Sequence, residues 1–209
     1  FFSQQWYLEN TGQTGGTPGI DVNIRPAWQF AAGAGVEIAI HDTGVSTTFP
    51  DLSANFAPGL SGNFVPGSSR QDGGPTSLNA WHGTGVAAVA AAADNGEGFI
   101  GAAPDATIGS LAGLGFLGAI EQYDEFDIVN ASWGFGTDIF ADNFNTDFFE
   151  HGQEIQDAAQ SGRDGNGTVM VFAAGNEFST TGEFGFTEFG DANYHNFQNS
   201  RFTVTVGSI

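Results

Sequence analysis

Apolar and polar positions alternate from Val36 to His41, and the run ends at Asp42, the pattern of a strand. Thr107 to Leu111, Ile128 to Ser132, Thr168 to Ala173 and Phe202 to Val206 read as further short strands, the first two buried. Between them lie two helix candidates. From His82 to Ala93 nearly every position after the first turn is Ala or Val, and Asp94-Asn95-Gly96 stops the run. A helix apolar on all sides is a buried one. Asp147 to Gln160 has the amphipathic period and ends near Gly162. Asp21 to Phe30 reads as a short helical region around Pro26-Ala27-Trp28, and residues 9–22 as a Gly/Thr-rich surface loop. Residues 53–80, rich in Gly, Ser, Asn and Pro, form a long connection of the kind that carries function. Strands alternating with helices predict an α/β fold, a mostly parallel central sheet with helices on both faces. Sites in such sheets collect beyond the C-terminal strand ends. Asp42, Ser132 and Asn176 all fall at or just after such ends.

Composition narrows the function. The 209 residues include 32 Gly and 21 Phe, with only 13% charged, which suits a compact, loop-rich domain. No internal repeat is present. The net charge is −20, with four arginines and no lysine. That field repels nucleic acid and anionic membrane surfaces, so neither is an expected partner. It favours cations, although solubility explains it equally well. Cysteine is absent, which removes disulfides, thiol catalysis and zinc-thiolate sites. No apolar run approaches the ~18 residues of a membrane helix. Phe1-Phe2-Ser3 has no basic n-region and reads as a processing boundary rather than a signal peptide. Without lysine there is no Gly-x-x-x-x-Gly-Lys-Ser/Thr loop for a nucleotide phosphate.

Three segments carry the chemistry: Ile38-Ala39-Ile40-His41-Asp42-Thr43-Gly44, His82-Gly83-Thr84-Gly85 and Phe172-Ala173-Ala174-Gly175-Asn176-Glu177. A hydroxyl nucleophile needs a base to take its proton, and the base needs an acceptor on its other nitrogen. His82, opening a small-residue helix, suits the base. Asp42, at a rigid strand end, suits the acid that orients it. The Asn176 amide suits a donor to the oxyanion of a tetrahedral intermediate. Singly, Asp42 is equally a cap or turn residue, His82 a structural histidine and Asn176 a turn residue. Their joint order overrides those readings. His41, His151 and His195 lack such a setting and read as structural or surface residues.

With these motifs the sequence resembles the subtilisin-like serine peptidases, and within them the kexin/furin branch and its bacterial relatives. The likeness runs from Gln5-Trp6-Tyr7-Leu8 through Phe49-Pro50-Asp51-Leu52 and Ala131-Ser132-Trp133-Gly134 to Gly190-Asp191-Ala192-Asn193-Tyr194 and Asn199-Ser200-Arg201, nearly the whole chain. It implies a secreted, extracellular endopeptidase with Asp42 as acid, His82 as base and Asn176 as oxyanion donor. Ser132, Trp133 and Gly134, with Ala174 and Gly175, would pair with the substrate backbone and wall the specificity pocket. The family's nucleophile sits in a later Gly-Thr-Ser segment, and no such segment occurs here. Residues 1–209 are thus expected to be the N-terminal portion of a peptidase domain. Three arrangements fit: a cut after Ile209 with the serine on a companion chain, loss of the remainder, or a fragment that binds peptides without cleaving them. The first is preferred, because a partial sheet and its buried helix would expose apolar surface. A peptide or protein substrate and a propeptide are the other partners the resemblance allows; a non-catalytic peptide-binding or regulatory module is the alternative.

The resemblance also implies a structural Ca²⁺. Asp51 would be a ligand, with Asn95 and the carbonyls of Ala92, Glu97 and Phe99 completing the shell, as a cation taking about six to eight oxygens requires. A second site near Asp138 and Asp191 is a weaker expectation. Kexin-type enzymes place a second acid where this chain has Thr43, and acid again where it has His195; Asn79 is neutral too. These departures predict a broad or apolar P1 preference rather than cleavage at paired basic residues.

Overall fold

The structure is a computed structural model that describes residues 2–77, 79–134, 148–176, 180–181, 187–188 and 197–207. In chain order the strands are β1 (Glu37–Asp42), β2 (Gly62–Asn63), β3 (Thr107–Ala112), β4 (Ile128–Ala131), β5 (Val169–Ala173), β6 (Thr180–Thr181), β7 (Thr187–Glu188) and β8 (Thr203–Val206). The helices are α1 (Pro50–Ser53), α2 (His82–Ala91), α3 (Leu117–Ile120) and α4 (Phe149–Gly165). Six strands form one sheet in the order β2-β3-β1-β4-β5-β8, every neighbouring pair parallel. β6 and β7 make a separate antiparallel pair. The expected parallel α/β sheet is therefore present.

The alternation in β1 separates two buried layers rather than inside from outside. Ile38 and Ile40 face Val45, Leu52 and Ile108 and the small side chains Ala87 and Ala91 of α2. Ala39 faces the other way, onto Val129, Ala131, Phe126, Tyr123, Phe172 and the α4 residues Ile155 and Ala158. A sheet covered on both faces buries both sets.

Several elements differ from their expected extents. The region around Trp28 is a single 3₁₀ turn, Ala27–Gln29. The long connection contains a 3₁₀ turn, Pro58–Leu60, and the two-residue strand β2. The α4 segment leaves helical geometry at Gly162, where Arg163 and Asp164 adopt φ of 54° and 55°. α2 is not enclosed on all sides: Gly83, Thr84, Ala87 and Ala91 are buried, but Gly85 and Val89 are exposed. The sheet shows the same imbalance. Val169, Val204 and Val206 are 47–53% exposed. Val204 and Val206 pair with Val171 and Ala173 of β5, on the α2 side of the sheet. Helix α2 thus covers β1 and β3 but leaves the β5–β8 half of that face open.

His41 lies fully buried beneath the sheet, not at the surface. Its Nε2 meets the Gly113 carbonyl at 2.6 Å, and its Nδ1 meets the Tyr123 hydroxyl at 2.5 Å. A carbonyl only accepts, so Nε2 carries the proton and Nδ1 accepts from Tyr123. Burial pushes the imidazole pKa down from 6.5 to about 4. The neutral ring is then favoured in the folded state, while the unfolded chain takes up a proton as pH falls through 6.5. This contribution to stability is complete above about pH 6.5 and is lost between 6.5 and 4, on the order of 3 kcal/mol in all. Urea unfolding at pH 7, 5.5 and 4 is expected to show that decline. His41→Leu is expected to be less stable at pH 7 and to show a shallower decline.

Candidate functional site

The site is built at the C-terminal edge of the sheet. Asp42 ends β1 with its carboxylate buried. Its Oδ1 accepts the Thr43 backbone N–H at 2.7 Å. His82 is the first residue of α2, and its Nδ1 lies 2.8 and 2.9 Å from the two Asp42 oxygens. The carboxylate can only accept, so Nδ1–H donates, and the basic lone pair of the neutral ring is on Nε2. The His82 side chain is 60% exposed, so the ring has its orienting face inside the protein and the rest open.

Local sequence explains the approach of α2 to β1. A Cβ at Gly83 would lie 2.6 Å from the Gly44 oxygen and 2.9 Å from the Asp42 Cβ. Gly44 turns at φ 102°, where a side chain would run into the Gly74 backbone. The Gly83 N–H donates to Thr43 Oγ1 at 3.1 Å, which fastens the helix start to the strand end. The Thr43 hydroxyl is therefore engaged within the protein.

Asn176 lies three residues past β5, exposed, after Gly175 at φ 102°. β1 and β5 flank β4, so their ends stand about 10 Å apart on one edge. The 132–134 segment leaves β4 between them. Asn130 Nδ2 donates to Ser132 Oγ at 2.8 Å. Gly134 is exposed, but the ring of Trp133 lies in the core, edge-on to His41 and Phe172 at centroid distances of 4.9 and 5.8 Å. Any pairing with a substrate falls to the backbone of this segment. Ala174 follows β5, its N–H donating to Val206 O at 2.9 Å. An open groove of about 820 Å³ runs from His82 along Gly85, Val86 and Val89 of α2 to Asn130 and Ser132. On the other side of Trp81, a hollow of about 480 Å³ is lined by Ser46, Thr48, Arg70 and Thr76.

The expected cation residues lie on α1 and in the segment that follows α2. Asp51 is buried, and its Oδ2 accepts the Phe99 N–H at 2.8 Å. The loop closes so tightly that a Cβ at Gly98 would overlap this carboxylate. The Asn95 side chain spans its own loop and α1, Oδ1 accepting the Glu97 N–H at 3.0 Å and Nδ2 donating to the Pro50 carbonyl at 3.5 Å. The Ala92 carbonyl accepts from Gly101 N–H. No cluster of three or more acidic or histidine side chains occurs among the described residues. A cation here would depend on Asp51, Asn95 and backbone carbonyls, a hard-oxygen set that fits Ca²⁺. Gln5 pins the loop: its Nε2 donates to Ile100 O and its Oε1 accepts Ile100 N–H. Its place in the Gln-Trp-Tyr-Leu segment was the only signal for that role. Asp138, Glu177, Asp191 and His195 lie outside the described residues.

Residues 33–209 match the model of the Subtilase family, Peptidase_S8. Human neuroendocrine convertase 2 is 32% identical over 224 residues, covering 99% of this chain and 33% of its own length. A PC3-like endoprotease of Hydra vulgaris is 32% identical, covering 100% of this chain and 29% of its own. The chain thus spans about a third of the length of these curated relatives. Among solved structures, the serine protease of Aeromonas sobria is 26% identical with a TM-score of 0.78, over 98% of this chain and 38% of that one. The same protease in complex with its chaperone ORF2 gives 28% and 0.72, over 86% and 32%. These two structures, of one bacterial serine protease, are similar to this chain in fold.

The dyad geometry depends on the missing side chain at position 83. Gly83→Ala is expected to push α2 away from β1, at about 1–3 kcal/mol. The hydrogen-bonded Nδ1 proton of His82, a downfield line in ¹H NMR, should shift or disappear.

Proposed function

Since the chain belongs to the subtilase family of serine peptidases, we propose that it provides the acid, base and oxyanion donor of a secreted endopeptidase whose serine lies on a segment C-terminal to Ile209. The observation that carries this reading is the His82–Asp42 pair at the rim of an uncovered apolar groove. Val86, Val89 and the exposed valines of β5 and β8 need a covering element. A serine-bearing helix laid there would reach His82.

In this reading His82 Nε2 removes the serine proton as Oγ attacks the scissile carbonyl. Asp42 holds the ring in the required tautomer and offsets the imidazolium charge. The Asn176 amide donates to the oxyanion. Collapse breaks the C–N bond, and the amine leaves with the proton from His82. Water repeats the sequence on the acyl-enzyme and restores the serine. The substrate backbone would lie along residues 132–134 and 174–175. A broad or apolar P1 preference is proposed from the departures from the kexin pattern, with Thr43 and His195 where that branch places acids and Asn79 neutral. The chaperone complex of the Aeromonas protease supports a propeptide or chaperone as a further partner.

A fluorophosphonate probe on the full-length protein, followed by denaturing intact-mass analysis, tests the proposal. Label on a segment beyond residue 209 is expected, on a separate chain where the protein is cut; no label on any segment favours a non-catalytic peptide-binding module. Asp42→Asn should lower kcat about 10⁴-fold by releasing the wrong tautomer.

Ca²⁺ is proposed at Asp51, with Asn95 and the carbonyls of Ala92, Glu97 and Phe99. When bound it ties the loop after α2 to α1. At a hundredfold excess over Kd it would add about 2.7 kcal/mol. EDTA is expected to lower Tm by several degrees in the natural protein and by much less in Asp51→Asn. An unchanged Tm in the natural protein overturns the site.

A further inference from the structure

We propose that His41 is a positioning residue that fixes the two walls of the peptide cleft, the 113–116 loop and the 132–134 segment, on either side of Asp42. The proposal rests on the peptidase reading above. It begins with the topology. β1 lies between β3 and β4, with His41 opposite Leu111 and Ala131. The chain leaving β3 and the chain leaving β4 therefore flank the end of β1.

His41 touches both. Its Nε2–H donates to Gly113 O, and its ring stands edge-on to Trp133 at 4.9 Å. Gly113 N–H donates to the Asp42 carbonyl at 3.0 Å. The two backbone polar groups of Gly113 are thus held by consecutive residues of β1. Gly113 has φ 134°, so this departure from β3 is open to glycine and strained for other residues. Beyond it, Leu114 and Phe116 are exposed apolar side chains on the wall so formed. A second imidazole holds the same loop, His151 Nε2 donating to Gly115 O at 3.2 Å.

A polar ring in this layer needs a reason. It pairs in register with Leu111 and Ala131 and its ring meets Tyr123 and Trp133, and an aliphatic residue would fill the layer without desolvating two nitrogens. Both nitrogens are satisfied, by the Gly113 carbonyl and by the buried Tyr123 hydroxyl. Tyr123 is itself fixed, its carbonyl accepting Thr168 Oγ1 at 3.0 Å. The groups facing the ring are Tyr123, Trp133 and the Gly113 carbonyl; the Asp42 carboxylate leaves the strand on the opposite face. The bond to a loop at the cleft is what the imidazole adds to the core.

The test compares two substrates on the full-length peptidase. One is a peptide with at least four residues before the scissile bond; the other is a minimal ester, p-nitrophenyl acetate. His41→Leu is expected to raise KM for the peptide about tenfold, the scale of one net hydrogen bond. Its kcat should stay within about twofold, and ester turnover should be unchanged. His41→Gln, which can still donate to Gly113 O, should recover much of the peptide KM. Equal losses on both substrates, or no change on either, overturn the proposal. Should His41→Leu not fold, Tyr123→Phe, which leaves Nδ1 without its donor and loosens the ring, is expected to raise the peptide KM with ester turnover unchanged; an unchanged peptide KM overturns the proposal. Failure of the peptidase reading shows separately, as no turnover of either substrate by the natural protein. In that case hydrogen exchange decides: amides 114–116 must exchange faster in His41→Leu than in the natural chain, and equal rates overturn the positioning role.

Discussion

The arrangement depends on a carboxylate placed out of reach of solvent at the end of β1. A buried charge is tolerated only where hydrogen bonds replace its hydration. Asp42 obtains them from the Thr43 N–H and from His82. The second partner sets a demanding condition, because α2 must begin within hydrogen-bond reach of a strand end. That condition selects the small residues around it. Gly83 lets the helix start against Asp42, Ala87 and Ala91 let it lie close over Ile38 and Ile40, and Gly44 turns the chain away in a left-handed conformation. His82 is mostly exposed, so solvent screens the pair on that side. The pair therefore contributes orientation more than stability.

A second constraint is the unequal covering of the sheet. The face beneath it is closed by α3, α4 and the Tyr123–Glu125 turn around Phe126 and Phe172. The upper face is closed by α2 over β1 and β3, while the valines of β5 and β8 stay open. His82 stands on the boundary between the covered and uncovered halves. A group that must accept a proton from an incoming residue belongs at such a boundary, held rigidly on one side and accessible on the other. The same geometry explains why an apolar helix has an exposed flank.

Five of the six strands of the main sheet were legible in the sequence because each is a short apolar run with a Gly within three residues of its end. Their observed ends differ from the expected ones by about a residue. β2 was not legible: Gly62-Asn63 has no period and exists as a strand only through pairing with Leu111 and Ala112. The dyad was legible through the order of its motifs, since neither Asp42 nor His82 is distinctive alone. Trp133 was placed in the right segment, but its ring turns into the core, which the alternation of four residues could not decide. His41 was read as structural or surface, and the structure makes it structural. In a sheet covered on both faces, the period of two identifies the layer and not the exposure, so the pattern could not choose between the two. The Gln5 clamp on Ile100 spans 95 residues, and beyond its place in the Gln-Trp-Tyr-Leu segment it left no signal.

Three consecutive residues of the chain join the two faces of this edge. His41 projects below the sheet, to the Gly113 carbonyl, Tyr123 and Trp133. Asp42 projects above it, to His82. Thr43 leaves the strand and accepts the Gly83 N–H, fixing the start of α2. The alternation of a strand makes this division possible, because adjacent side chains must leave on opposite faces. Substituting one of the three disturbs a different part of the edge. Changing Asp42 disturbs the orientation of the base, changing Thr43 the start of its helix, and changing His41 the loop beside it. A single rigid strand end thus places the groups for proton transfer and the walls around them in one frame, and the distance between the two is set by one peptide unit.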